Sequence, residues 1–88
     1  MPRRLARAIP SSDNNHKTKL ERECEKCNPP ISRAQLARRA DVAEATVKRS
    51  FEFKTIRQKS AIQITRGFNE ISEQSYNPED FFEFWEQK

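Results

Sequence analysis

Two cysteines three positions apart, Cys24 and Cys27, are the first residues in this chain to suggest a reactive or metal-binding site. A Cys-x-x-Cys pair can supply half of a zinc site or form a redox-active disulfide. No second cysteine pair is present, and His16 is the one histidine that could join them. Residues three apart also share one face of a helix, so we predict two core or half-buried thiols. A metal shared across a dimer and a redox switch are the alternatives.

The rest of the sequence has no pattern typical of catalysis. It contains a single His, no glycine-rich phosphate loop and no nucleophile motif. We therefore predict that the protein is not an enzyme and that it needs no cofactor and no metal.

Basic residues are concentrated in the middle of the chain. Residues 32–59 contain eight Lys and Arg against three Asp and Glu, whereas residues 60–88 contain two against six. Positive charge gathered in one segment is typical of a surface that binds phosphates. The acidic C-terminal segment would be repelled by the same phosphates.

The composition favours one small domain. Of the 88 residues, 34% are hydrophobic, so the chain can bury only a small core. No apolar run approaches the length of a membrane span, and residues 1–10 are too basic for a secretory signal. We expect a cytoplasmic protein.

A short helix is predicted to begin after Ser32, which is a good N-cap residue. Leu36 and Ala40 lie four apart on its inward face. Ala37 has almost no side chain, so a second helix can cross close to the first at this point. After Asp41 the chain must turn sharply.

The second helix is predicted over residues 44–51, after Val42 has turned inward. Val47 and Phe51 lie four apart and face the core. The opposite face is free to meet a ligand and carries Glu44, Ala45, Lys48 and Arg49.

At these positions the sequence resembles the lambda-repressor-like, Cro/repressor-type helix-turn-helix family of DNA-binding domains. The residues that carry the resemblance are Leu36, Ala37, Val42, Thr46, Val47 and Arg49. It extends to residue 68, where the family's next helix needs apolar residues, through Ile56, Ala61, Ile62, Ile64 and Phe68. Residues 46–49 and 56–62 also resemble a bacterial branch in which this domain heads larger signalling proteins.

The resemblance implies a sequence-specific double-stranded DNA-binding transcriptional regulator of the repressor type, bacterial or from a phage. Residues 44–51 would be the recognition helix in the major groove, and a homodimer would hold two such helices about 34 Å apart. The base-contacting residues would be Glu44, Ala45, Lys48 and Arg49, with Arg49 on guanine and Glu44 on cytosine. The phosphate-contacting residues would be Arg33, Gln35, Thr46, Lys54, Arg57 and Lys59.

Three positions depart from the family pattern. Asp41 replaces a turn glycine, and Asp tolerates left-handed backbone better than most residues. Ala43 replaces a Ser that caps the recognition helix, although Asp41 could act as a shifted cap. Phe53 replaces a glycine, so we expect the loop to adopt another backbone or to bury the ring.

The predicted fold is an all-α, compact bundle of about five short helices over residues 16–88. Residues 1–15 are predicted to form a flexible basic arm that contains Arg3, Arg4 and Arg7 and could lie along phosphates or in a minor groove. A first helix is expected over residues 16–28 and a fourth over residues 59–71. Gly67 in the fourth helix would let another backbone approach closely.

The last helix is expected to begin with Asn77 as its cap and Pro78 at its first position. Its aromatic residues exceed what one buried side can hold, which favours an interface. A small core sealed by large rings is the alternative. The residues predicted for the interface are Phe82, Phe84 and Trp85. This interface supports a second hypothesis, a protein-interaction or adaptor module that recruits a partner through the aromatic helix.

Overall fold

The computed structural model describes residues 5–12 and 17–87, with backbone only for residues 5, 6 and 85–87. This part of the chain forms a small, compact and mostly helical domain. Its elements in order are β1 Leu5–Pro10, α1 Lys19–Lys26, α2 Arg33–Ala40, α3 Glu44–Phe51, β2 Ile56–Arg57, α4 Gln58–Ser72, α5 Pro78–Phe81 and β3 Phe82–Gln87. Five helices agree with the sequence prediction, but the all-α class is wrong because a three-stranded sheet is present. No helix in the described ranges is both long and apolar enough to cross a membrane.

The sheet is antiparallel, with strand order β2-β1-β3. Its central strand, Leu5–Pro10, lies within the segment predicted to be a flexible arm, so that prediction is wrong for these residues. The strand is held because Ala8 is fully buried, opposite Ile56 on one side and Phe84 on the other. Arg3 and Arg4 of the predicted arm lie outside the described residues.

The C-terminal aromatic segment is not the single helix that the sequence predicts. Helix α5 ends at Phe81, and residues from Phe82 onward are a strand. The change from helix to strand lets two successive rings enter the core, with Phe81 0% and Phe82 1% exposed. Phe82 is therefore unavailable for the predicted interface, and Phe84 is half-buried against the core. The side chain of Trp85 lies outside the described residues.

Helices α2 and α4 pack closely because both present small residues where they cross. A Cβ placed on Gly67 would lie 2.9 Å from the Ala40 backbone nitrogen and 3.0 Å from its Cα. The predicted close approach at Gly67 is confirmed. Ala37 on the same helix as Ala40 is also buried, as predicted.

Local signals for the helix ends are confirmed at several places. The Ser32 hydroxyl accepts a hydrogen bond from the Gln35 backbone N–H at 3.1 Å. Asp41 ends α2 in the left-handed conformation, with φ of 59°. The Asn77 backbone N–H donates to the Asp80 carboxylate at 2.8 Å, which starts α5 at Pro78.

Tyr76 ties the C-terminal part to α1. Its hydroxyl donates to Glu23 Oε1 at 3.0 Å, and its backbone is held by both ends of the Asn69 amide. Its ring contacts Phe68 and Phe81, with centroid distances of 5.8 and 4.8 Å. This cluster fixes the segment that leads into the sheet.

Candidate nucleic-acid interface

Helix α3 turns one face to the core and leaves the other open. Val47 is 0% exposed, as predicted, and Ser50 is buried beside it with its hydroxyl donating to the Val47 carbonyl at 2.6 Å. Phe51 is half-buried. The four predicted base-contacting residues share the exposed face: Glu44, Ala45, Lys48 and Arg49.

The turn before α3 contains no side-chain cap. Ala43 is the N-cap residue and makes no side-chain hydrogen bond to the helix, so the suggested replacement by Asp41 is not seen. Asp41 instead closes α2, where its N–H donates to the Ala37 carbonyl. Thr46 is half-buried, and its N–H donates to the Ala43 carbonyl at 2.9 Å.

A hollow of about 300 Å³ lies where α3, β1, β2 and the start of α4 meet. Ile56 lines part of it. The other lining residues all carry hydrogen-bond donors on their side chains: Arg7, Thr46, Arg49, Thr55, Arg57 and Ser60. We call this the arginine hollow.

The strand register explains why two of these arginines meet. Arg7 in β1 and Arg57 in β2 are directly paired across the antiparallel ladder. Side chains of paired residues stand on the same face of a sheet, with Cβ atoms about 5 Å apart. Arg49 approaches the same hollow from the last turn of α3. The fold thus gathers three guanidinium groups from three separate elements.

Two other predicted phosphate contacts lie elsewhere. Arg33 lines a hollow with Glu21, Glu25 and Glu52, which is acidic and therefore unsuited to phosphate. Gln35 lines a different hollow beside Arg38, Arg39 and Glu70, where Arg39 Nη1 lies 3.8 Å from Glu70 Oε2.

The remaining predicted phosphate contacts stay on the surface. Lys54 and Lys59 are exposed, and Lys54 Nζ lies 3.9 Å from Glu52 Oε1. Sequence reasoning did not connect Arg7 with α3, because that contact depends on a strand pairing between residues about fifty positions apart. The hydroxyls of Thr55 and Ser60 were missed for the same reason.

Phe53 follows α3 in an unexpected conformation. Its backbone is left-handed, with φ of 61°, and its side chain is 40% exposed. The ring is therefore not buried, which was one of the two expected outcomes for this loop. A bulky residue with positive φ is strained.

The cysteines behave as predicted from helical spacing. Cys24 is 1% exposed in the core, and Cys27 is half-buried with its thiol near the Glu23 carbonyl. Burial raises the pKa of Cys24 to about 12 and also raises the pKa of Cys27. Among the described residues no three potential metal ligands form a group, and His16 lies outside them.

Comparison with known proteins gives no relative: no protein-family profile, no curated protein and no solved structure matches this chain.

Proposed function

We propose that this chain is a sequence-specific double-stranded DNA-binding transcriptional regulator of the repressor type. In this proposal α2 and α3 form a helix-turn-helix similar to that of lambda-repressor-like domains, and α3 lies in the major groove. The observation that carries the proposal is the exposed outer face of α3 beside a hollow lined by three arginines. A basic helix flanked by phosphate-binding groups is what groove docking requires.

The outer face of α3 supplies the sequence readout. Lys48 can donate to guanine, Glu44 can accept from the cytosine amino group, and Ala45 can contact a thymine methyl. The uncapped start of α3 presents backbone N–H groups beside Glu44. Arg49 belongs to the same helix and lines the arginine hollow.

The protein would act as a homodimer in the cytoplasm, bound to the nucleoid when DNA is engaged. A two-fold dimer places two recognition helices about 34 Å apart, which matches half-sites one helical turn apart. Light scattering of the free protein and of its complex with a selected duplex measures the stoichiometry. A single copy on every selected duplex would contradict the dimer.

Selection of bound duplexes from a random pool tests the function. We expect an enriched sequence with two related half-sites. The affinity of the enriched duplex and of a scrambled duplex should then be measured across a range of salt concentrations. Specific binding keeps a preference as salt rises, whereas general attraction to a basic surface disappears for both duplexes along the same steep line. A pool without enrichment would refute the proposal.

The adaptor hypothesis lacks the feature on which it was based. It required an aromatic helix with exposed rings, but residues from Phe82 onward form a strand and Phe82 is buried. We therefore propose DNA binding alone.

A further inference from the structure

We propose that the arginine hollow is a binding site for one phosphate group, and that Arg7 of strand β1 is one of its ligands. The claim that the hollow binds phosphate depends only on the geometry of the hollow. The claim that this phosphate belongs to duplex DNA rests on the function proposed above. Separate measurements with inorganic phosphate and with duplex DNA distinguish the two claims.

The first support is an unbalanced charge. Arg7 and Arg57 are paired directly across two strands, and like charges in this position repel each other. Arg49 adds a third positive charge to the same hollow. Within residues 5–12 and 17–87 the ion pairs involve other basic side chains, and no acidic residue lines the hollow. An anion would offset this repulsion.

The second support is the set of donors. Guanidinium groups present pairs of N–H groups whose spacing matches phosphate oxygens. The hydroxyls of Thr46, Thr55 and Ser60 line the same hollow and can donate to further oxygens. The acidic hollow beside Arg33 has no such set.

The third support is the start of α4. This helix is fifteen residues long, and its N-cap residue, Arg57, makes no side-chain hydrogen bond to the first turn. Ser60 belongs to that first turn and lines the hollow. Free N–H groups and the positive end of the helix dipole add to the attraction for an anion.

The position of the hollow favours the duplex backbone as the source of the phosphate. Arg49 and Thr46 both belong to α3, so a phosphate held here would lie at the edge of the groove that α3 enters. Arg49 then holds a phosphate instead of pairing with guanine. Base readout is left to the other three residues of the outer face of α3.

The first arm of the test uses inorganic phosphate. The Tm of the wild type, of Arg7→Gln and of Arg57→Gln is measured in phosphate and in chloride at equal ionic strength, with Arg38→Gln as the control. Both variants should fold, since each relieves a like-charge pair. At phosphate near ten times its Kd, the wild type and Arg38→Gln should gain roughly 6 to 11 °C beyond the gain of the two hollow variants. Equal gains in all four proteins would overturn the site.

The second arm uses duplex DNA. With the selected and the scrambled duplex, Arg7→Gln should weaken both equally, by about tenfold, and lower the salt slope by about one. Lys48→Ala should instead reduce the preference between the two duplexes. A phosphate-dependent Tm without any change in duplex affinity would assign the hollow to a free phosphate ester. If no duplex is enriched, the Tm measurements in phosphate still show whether the hollow binds a phosphate group.

Discussion

Replacing Gly67 with Ala tests the packing that holds α2 against α4. The new Cβ would lie 2.9 Å from the Ala40 nitrogen and 3.0 Å from its Cα. Ordinary carbon contacts are about 3.5 Å or longer, so the helices must separate by roughly half an ångström. Because the atoms in the way are backbone, no side-chain rotation relieves the overlap. Overpacking of this kind costs about 2 to 3 kcal/mol.

Helix propensity acts in the opposite direction. Alanine is more favourable than glycine inside a helix by about 1 kcal/mol. We therefore expect Gly67→Ala to lower the free energy of unfolding by about 1 to 2 kcal/mol after both contributions. For a domain of this size the Tm should fall by roughly 4 to 16 °C.

The assay is urea unfolding followed by circular dichroism, with Arg66 as the matched control. Arg66 is the exposed neighbour of Gly67 in α4, so comparing Arg66→Ala with Arg66→Gly measures the propensity contribution alone. Arg66→Ala should be the more stable of that pair by about 1 kcal/mol. If Gly67→Ala is as stable as the wild type or more so, the close approach of the two helices is wrong.

Three further outcomes follow from single residues. Phe53→Asn should raise the free energy of unfolding, measured in urea, by about 0.5 to 1 kcal/mol, because Asn accepts positive φ and the Phe53 ring is partly exposed. A loss of stability would show that the ring is needed. Tyr76→Phe should cost about 1 kcal/mol, since it keeps the ring contacts and removes only the hydrogen bond to Glu23; no change would mean that the bond contributes nothing. Burial keeps Cys24 protonated and out of reach of solvent, so a thiol reagent at pH 8 should label Cys27 first. Rapid labelling of Cys24 in the folded protein would contradict its burial.

The raised pKa of Cys24 also sets a pH dependence. Its thiol has an ordinary pKa of 9.0 and a pKa of about 12 in the folded protein. The folded state therefore holds the proton more tightly, and stability from this group is constant below pH 9 and falls as the pH rises toward 12. Urea unfolding as a function of pH measures it, and stability that rises over this range would contradict the sign.

The helices could be predicted from the sequence because their signals are local. Ser32 caps α2, Asn77 and Pro78 start α5, and Gly67 marks a close contact, each readable from residue type and position. The five helices follow from such signals together with the spacing of residues such as Leu36 and Ala40.

The sheet could not be predicted, because its signals are not local. Leu5–Pro10 is short and contains Arg7, and Ala8 is buried through pairing with Ile56 and Phe84, both far along the chain. The aromatic residues after Phe81 suit a strand as well as a helix, and packing with β1 decides between them. The arginine hollow depends on this pairing, so Arg7 could be assigned to a basic arm but not to a site beside Arg49.

The affinity of a Lys48→Ala/Arg49→Ala double variant for the selected duplex tests the central claim most directly. The control is Arg38→Ala/Arg66→Ala, which removes the same charge from exposed positions that do not line the arginine hollow. Contact between the outer face of α3 and the duplex predicts that the first variant loses at least about tenfold in affinity and the sequence preference. The control should keep the preference. Equal affinities and equal preferences for the two variants would show that α3 is not the DNA-binding surface.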